Sequence, residues 1–153
     1  MDKILLLESA QKLKQVSFAT ADEYHQNSEH LIAKMNTIMS ERPDVESLVG
    51  ANNLNMMKDN HFNHAQFISS ILKYHNSNVL VDNVLWVFRA YRSHGFTVNY
   101  WTVQLNTWIT VLKEALTPEC FAEVYPYYNW LQINIPIFAK LSDEKAEAQN
   151  TLL

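Results

Sequence analysis

The stretch Val84-Leu-Trp-Val-Phe-Arg-Ala-Tyr91-Arg-Ser-His94-Gly95-Phe96-Thr97 decides the fold. Leu80, Val84, Val87, Tyr91 and His94 recur at steps of 4, 3, 4 and 3. That is the spacing of one helix face, so the pattern predicts a helix over 79–94 with Tyr91 pointing inward. Gly95 suits the left-handed residue that ends a helix, because it has no Cβ to clash. Thr97 then offers a side-chain oxygen to the first free N–H groups of another helix.

Working outward, Trp101, Leu105, Trp108, Leu112 and Leu116 continue the helical period. Thr117-Pro118-Glu119 is a helix start: a cap, a proline in the first turn and an acid at the positive end. That helix runs through Phe121, Val124, Tyr127, Tyr128 and Leu131, with Pro126 able to bend it. Pro136 interrupts a final short apolar piece. On the other side, His61 to His75 predicts a helix with two stripes. One is His61, Ala65, Ile68, Leu72 and His75, and the other is His64, Phe67 and Ile71. Asn76-Ser-Asn78 is a turn with Asn78 as the cap, and the Asn-rich 51–60 includes a loop. Earlier helices are expected at 3–17, with Ile4, Leu7 and Leu13 on one side, and at 20–40, with Tyr24, Leu31, Met35, Ile38 and Met39 inward. Pro43 ends the latter, Asp44 can cap a short helix, and Gly50 can end that one.

The fold class is therefore all-α, a single domain of six to eight helices over 1–141, followed by a polar tail over 142–153. The 153 residues contain only two glycines and no Asn-Gly pair, which leaves little for tight hairpins. Charged residues are 18% and the formal net charge is −4. This excludes general nucleic-acid binding, which needs clustered Lys and Arg. The uncharged window Ser93 to Leu112 holds Asn99, Gln104 and Asn106 and is too polar to span a membrane. The lone Cys120 fits a reducing compartment, and the apolar run near Met1 is too short for a signal peptide, so the expected location is cytoplasmic.

Chemistry-bearing patterns are few. His61 and His64 stand one helical turn apart, but a dependable metal site needs three or four ligands, and Asp59 is the only further candidate. Cys120 sits just after a helix-start proline, where the helix dipole could lower its pKa, yet no histidine is near it in sequence. Between 60 and 113 there is one acid, Asp82, against Lys73, Arg89, Arg92 and Lys113, together with ten aromatic residues. Such a centre can host an apolar ligand carrying acidic groups, and it can equally be plain helical core.

Asn63-His64-Ala-Gln66-Phe67, then Tyr91-Arg-Ser-His94-Gly95-Phe96, then Thr117-Pro-Glu119 occur in an order that resembles a globin. The resemblance covers about half the chain. It puts Tyr91 at the iron-ligand position and His64 near the ligand side. Tyrosine in place of the proximal histidine removes the usual nitrogen ligand, and a tyrosinate would need a nearby base or cation. The His94-Gly-Phe-Thr97 step is also similar to the haem-free, globin-like amino-terminal sensor domains of bacterial stressosome proteins. Among other globin relatives, phycobiliproteins attach bilins through cysteine, and Cys120 lies too late for that pattern.

The resemblance and the residue patterns together imply a non-enzymatic, globin-like sensor or small-ligand-binding domain without conventional haem ligation. Its candidate ligand-binding residues are His64, Phe67, Ile68, Val87, Tyr91, His94, Trp101 and Leu105. The pocket would lie between helices 61–75 and 79–94, closed by 97–116. A signalling partner and a homodimer through the last two helices are the expected contacts, with no nucleic acid and no membrane. Two alternatives stay open. One is a protein binding haem or another tetrapyrrole through His94 or Tyr91. The other is a helical interaction module docking through its tryptophans, Trp86 above all.

Overall fold

The computed structural model describes the backbone of residues 2–152 and the side chains through 143. Among these residues the protein is all-α, with eight helices: α1 Asp2–Gln11, α2 Phe18–Ser40, α3 Val45–Val49, α4 Leu54–Lys73, α5 Ser77–Arg92, α6 Val98–Ala115, α7 Pro118–Ile133 and α8 Ile135–Leu152. Helix α2 is the spine, packed on α4, α6 and α7, while α5 packs on α1 and α8. Successive helices α4 and α5 share little direct packing with each other. No helix among the described residues is long and apolar enough to cross a membrane.

Burial follows the helical period wherever a helix has one apolar side. Tyr24, Leu31, Met35 and Met39 of α2 are buried, as are Trp101, Leu105, Trp108 and Leu112 of α6. Five boundaries or faces differ from the sequence expectation, the first being Ile38 of α2, which is 38% exposed instead of inward. Helix α1 stops at Gln11 and buries Leu6 and Ala10, leaving Ile4 60% exposed. Helix α4 begins at Leu54, inside the expected 51–60 loop, because Met57 and Asn60 are drawn into the core. Asn76, not Asn78, caps α5, its Oδ1 accepting from Val79 N at 3.1 Å. Pro136 opens a long helix instead of interrupting a short one. Lacking an N–H, it cannot extend α7 past Ile133, but it suits the first turn of α8. The expected tail over 142–153 begins inside α8, and its side chains beyond 143 lie outside the described residues.

Both glycines sit at one junction. Gly50 ends α3 with φ +92° and Gly95 follows α5 with φ +107°, a region that side chains with a Cβ avoid. Asn53 joins the two turns, its Nδ2 donating to Val49 O at 2.7 Å and to His94 O at 2.8 Å. Thr97 adds two bonds to Leu48 O, from its N–H at 2.9 Å and its Oγ1 at 3.1 Å. A Cβ on Gly50 would lie 3.1 Å from Asn53 Nδ2. The start of α4 and the end of α5 are thereby held together. At the opposite end Gln15 donates to Leu72 O at 2.6 Å and accepts from His75 N at 2.9 Å. His75 Nε2 also bonds Ala10 O at 2.9 Å.

Helices α2 and α7 cap each other. Glu123 of α7 accepts from Ser17 N at 2.9 Å, from Ser17 Oγ at 3.0 Å and from Thr20 Oγ1. Glu23 of α2 accepts from Thr117 N at 2.7 Å and Thr117 Oγ1 at 2.9 Å. Each carboxylate thus meets the positive end of the other helix and supplies acceptors that its own backbone lacks. Hydrogen bonds from Thr20 and Ser17 hold the Glu123 carboxyl below the usual carboxylate range. Its folded pKa is depressed, so its stabilising contribution is present above the unfolded value and lost as pH falls through the folded one. Glu123→Gln is expected to cost about 1 kcal/mol at neutral pH, and the deficit should shrink below about pH 4. Urea unfolding of both proteins across that range measures it, and a deficit independent of pH would contradict the ionic cap.

Candidate functional site

Because α4 and α5 are fastened at their ends and not along their lengths, a space opens between them. It is a cavity of about 550 Å³. Buried Ile68 of α4, Val84 and Phe88 of α5, and Trp101 and Leu105 of α6 form its floor, with Leu131 of α7 and Phe138 of α8 completing it. Exposed Asp59, Asn63, Trp86 and His94 stand at the mouth. The volume is within the ~300–1,000 Å³ of sites that take drug-sized ligands.

All eight sequence-selected residues border this one cavity: His64, Phe67 and Ile68 from α4, Val87 and Tyr91 from α5, His94 from the turn after it, and Trp101 and Leu105 from α6. Val87 and Tyr91 border the cavity half-buried, while the buried side of α5 is Leu80, Val81, Val84 and Phe88, of which Val84 and Phe88 reach the cavity floor. Phe88 is hidden from the stripe count because it lies one residue past Val87. It stacks on Trp101 with centroids 4.4 Å apart and 19° between planes. Tyr91 stands edge-on to Phe96 at 5.2 Å and to Trp101 at 6.1 Å, so it belongs to the aromatic wall.

The floor also carries polar groups that no apolar periodicity reveals. Asn60 Oδ1 accepts from Tyr100 Oη at 2.7 Å and from Gln104 Nε2 at 2.9 Å, and all three residues are buried. The signal available in the sequence is positional: Asn60 is four residues before His64, and Gln104 is three after Trp101, both on core-facing spacings. His64 is bonded through Nε2 to Tyr128 Oη at 2.9 Å, and Tyr128 Oη to Tyr24 Oη at 2.7 Å. Tyr24 and Tyr128 are fully buried, so each hydroxyl proton needs an acceptor. One direction satisfies both: Tyr24 donates to Tyr128, and Tyr128 donates to His64 Nε2. The proton of neutral His64 is then on Nδ1. Burial, with His61 nearby, pushes the His64 pKa down to about 3, and burial takes His61 to about 4.

Other candidates are engaged in structure. His61 pairs its Nδ1 with Asn36 Oδ1 at 2.7 Å, and its ring meets the edge of Trp108. No group of three His, Cys, Asp or Glu that could hold a metal occurs among the described residues. Burial and the nearby Glu23 push the Cys120 thiol up to about 12, the reverse of an activated nucleophile.

The basic centre expected from the sequence does not face the cavity. None of Lys73, Arg89, Arg92 and Lys113 borders it, and Arg92 bonds Asp143 at 2.8 Å and Ala139 O at 3.3 Å. An acidic ligand would find no Lys or Arg counter-ion among the described lining residues. A haem centre fits the donor set poorly for the same reason. His64 Nε2 is committed to Tyr128, His94 is at the exposed mouth, and no Lys or Arg among the described lining residues would pair with Tyr91 or with propionates.

Fold and site together define a class: a helical domain holding one apolar, aromatic-walled cavity with neutral hydrogen-bonding groups on its floor. No known protein family, curated protein or solved structure matches the chain.

The direction of the tyrosine chain makes a test. Tyr24→Phe removes a donor but leaves Tyr128 bonded to His64, an expected loss of about 1 kcal/mol. Tyr128→Phe leaves Tyr24 without an acceptor and His64 without a donor, an expected loss of about 2–3 kcal/mol. Denaturant unfolding of the two variants reads the difference, and equal or reversed losses would contradict the assigned direction.

Proposed function

We propose that this is a non-enzymatic, small-ligand-binding or sensor domain that takes an uncharged, mostly apolar molecule between α4 and α5. One observation carries the reading: residues from three helices, with α7 and α8 behind them, converge on an aromatic-walled space with no Lys or Arg among its described lining residues. Against catalysis stand His61 and His64 held in the neutral form, the raised Cys120 thiol and, among the described lining residues, a single carboxylate, Asp59. A globin-like ancestry that has lost haem belongs to the same proposal. It rests on the order of His64, Tyr91, Gly95 and Thr117-Pro-Glu119, and on the cavity lying between the helices that carry His64 and Tyr91. Trp86, 56% exposed beside the mouth, would report occupancy to a signalling partner in the cytoplasm, with the last two helices available for a homodimer.

The neutral, environment-sensitive naphthalene dye prodan tests the cavity. It is expected to bind with a blue-shifted emission, and Val87→Trp, which fills the space, should weaken it at least about tenfold. Ile133→Ala, on the exposed side of α7, should leave it unchanged. Dye binding that ignores Val87→Trp would sink the proposal. Added ferric haem is expected to give no Soret band that depends on the two candidate ligands. A band abolished by His94→Ala or Tyr91→Phe would restore the haem alternative.

A further inference from the structure

We infer that the cavity selects a planar, uncharged heteroaromatic ligand presenting a cis-lactam edge, a ring C=O beside a ring N–H. This inference rests on the cavity being a ligand site and names the chemistry that it recognises.

The Asn60 and Gln104 side-chain amides fix the edge. Asn60 Oδ1 is filled by two donors, Tyr100 Oη at 2.7 Å and Gln104 Nε2 at 2.9 Å. This double donation also sets which end of the Asn60 amide is oxygen. Besides the second N–H of Gln104 Nε2, two groups remain: Asn60 Nδ2, a donor, and Gln104 Oε1, an acceptor. Neither takes a partner among the described residues, although both residues are buried and border the cavity. The two amides are bonded to each other at the cavity floor, so an N–H donor of Asn60 and the C=O acceptor of Gln104 belong to one hydrogen-bonded pair. A cis-lactam carries the complementary pair: its C=O accepts from Asn60 and its N–H donates to Gln104. His64 also borders the cavity and, with Nε2 taken by Tyr128, has its Nδ1–H as a further donor.

The rest of the wall agrees with a flat ring. Phe88 and Trp101 are stacked along one side, and Phe138 meets Phe88 edge-on at 5.3 Å. A carboxylate or phosphate would enter without a cation to meet it. A hydrocarbon would strand the floor amides without partners, which costs more than the lost contacts themselves.

Calorimetric titration of the whole protein with three probes of similar size decides the matter: 2-quinolone, its N-methyl derivative and naphthalene. 2-Quinolone is expected to bind at least about tenfold more tightly than the other two, since a site built to hydrogen-bond an N–H rejects the analogue lacking it. Gln104→Met should erase that preference, with naphthalene bound at least as tightly as by the unaltered protein. The wild-type comparison stands alone should that variant not fold. Three equal affinities would overturn the lactam edge and leave the cavity reading intact. A preference that survives in folded Gln104→Met would overturn the assignment to this amide pair. No binding by any probe would overturn the cavity reading and this inference with it.

Discussion

Helices α4 and α5 are tied at both ends and left apart in the middle, and the site depends on that constraint. At one end Asn53 bridges the Gly50 and Gly95 turns through two carbonyls, with Thr97 closing on Leu48. At the other, Gln15 and His75 bind the short connection to the chain before α2. Positive φ at both glycines lets the two turns approach until a Cβ on one would touch the other's neighbourhood. Helices held in this way do not collapse onto each other. The packing that α5 would find on α4 it finds on α1 and α8.

The interior polar groups give that space a hydrogen-bonding floor. A buried hydroxyl or amide is costly unless paired, so networks inside a core are kept complete or carry a function. The chain Tyr24, Tyr128 and His64 is complete when its protons run in one direction. The Asn60, Tyr100 and Gln104 cluster is complete except on the side that borders the cavity. Both clusters are anchored in the α2–α7 region and its neighbours, where Glu23 and Glu123 fix the crossing of the two helices by capping each other.

Much of this is legible in the sequence because helices with one buried side advertise it. The periods through Tyr24, Leu31 and Met35, and through Trp101, Leu105 and Trp108, place those residues correctly. So do the caps at Thr97 and Thr117, whose hydroxyls accept from Tyr100 and Cys120. The eight site residues come together because each lies on the inward or adjacent stripe of its helix. Four features are not legible, for physical reasons. Ile4 looks as inward as Leu6, since a ten-residue helix with apolar residues all round has no preferred side. The Asn-rich start of α4 resembles a loop until tertiary contacts bury Met57 and Asn60. Phe88 is masked by Val87, because a one-residue rotation separates the buried floor of the cavity from its half-buried wall. Asn60 and Gln104 are polar residues whose role depends on partners 40 and 44 positions apart, which no local pattern encodes.

The central claim is that the space between α4 and α5 admits a ligand. The indole N–H resonances of the four tryptophans, followed by ¹H–¹⁵N NMR while 2-quinolone is added, test it most directly. Trp101, on the floor, and Trp86, at the mouth, should shift together and saturate with the ligand. Trp130, whose Nε1 donates to Ser9 Oγ at 2.8 Å away from the cavity, should hold still. Unmoved resonances at Trp86 and Trp101, or a saturating shift confined to Trp130, would contradict the account.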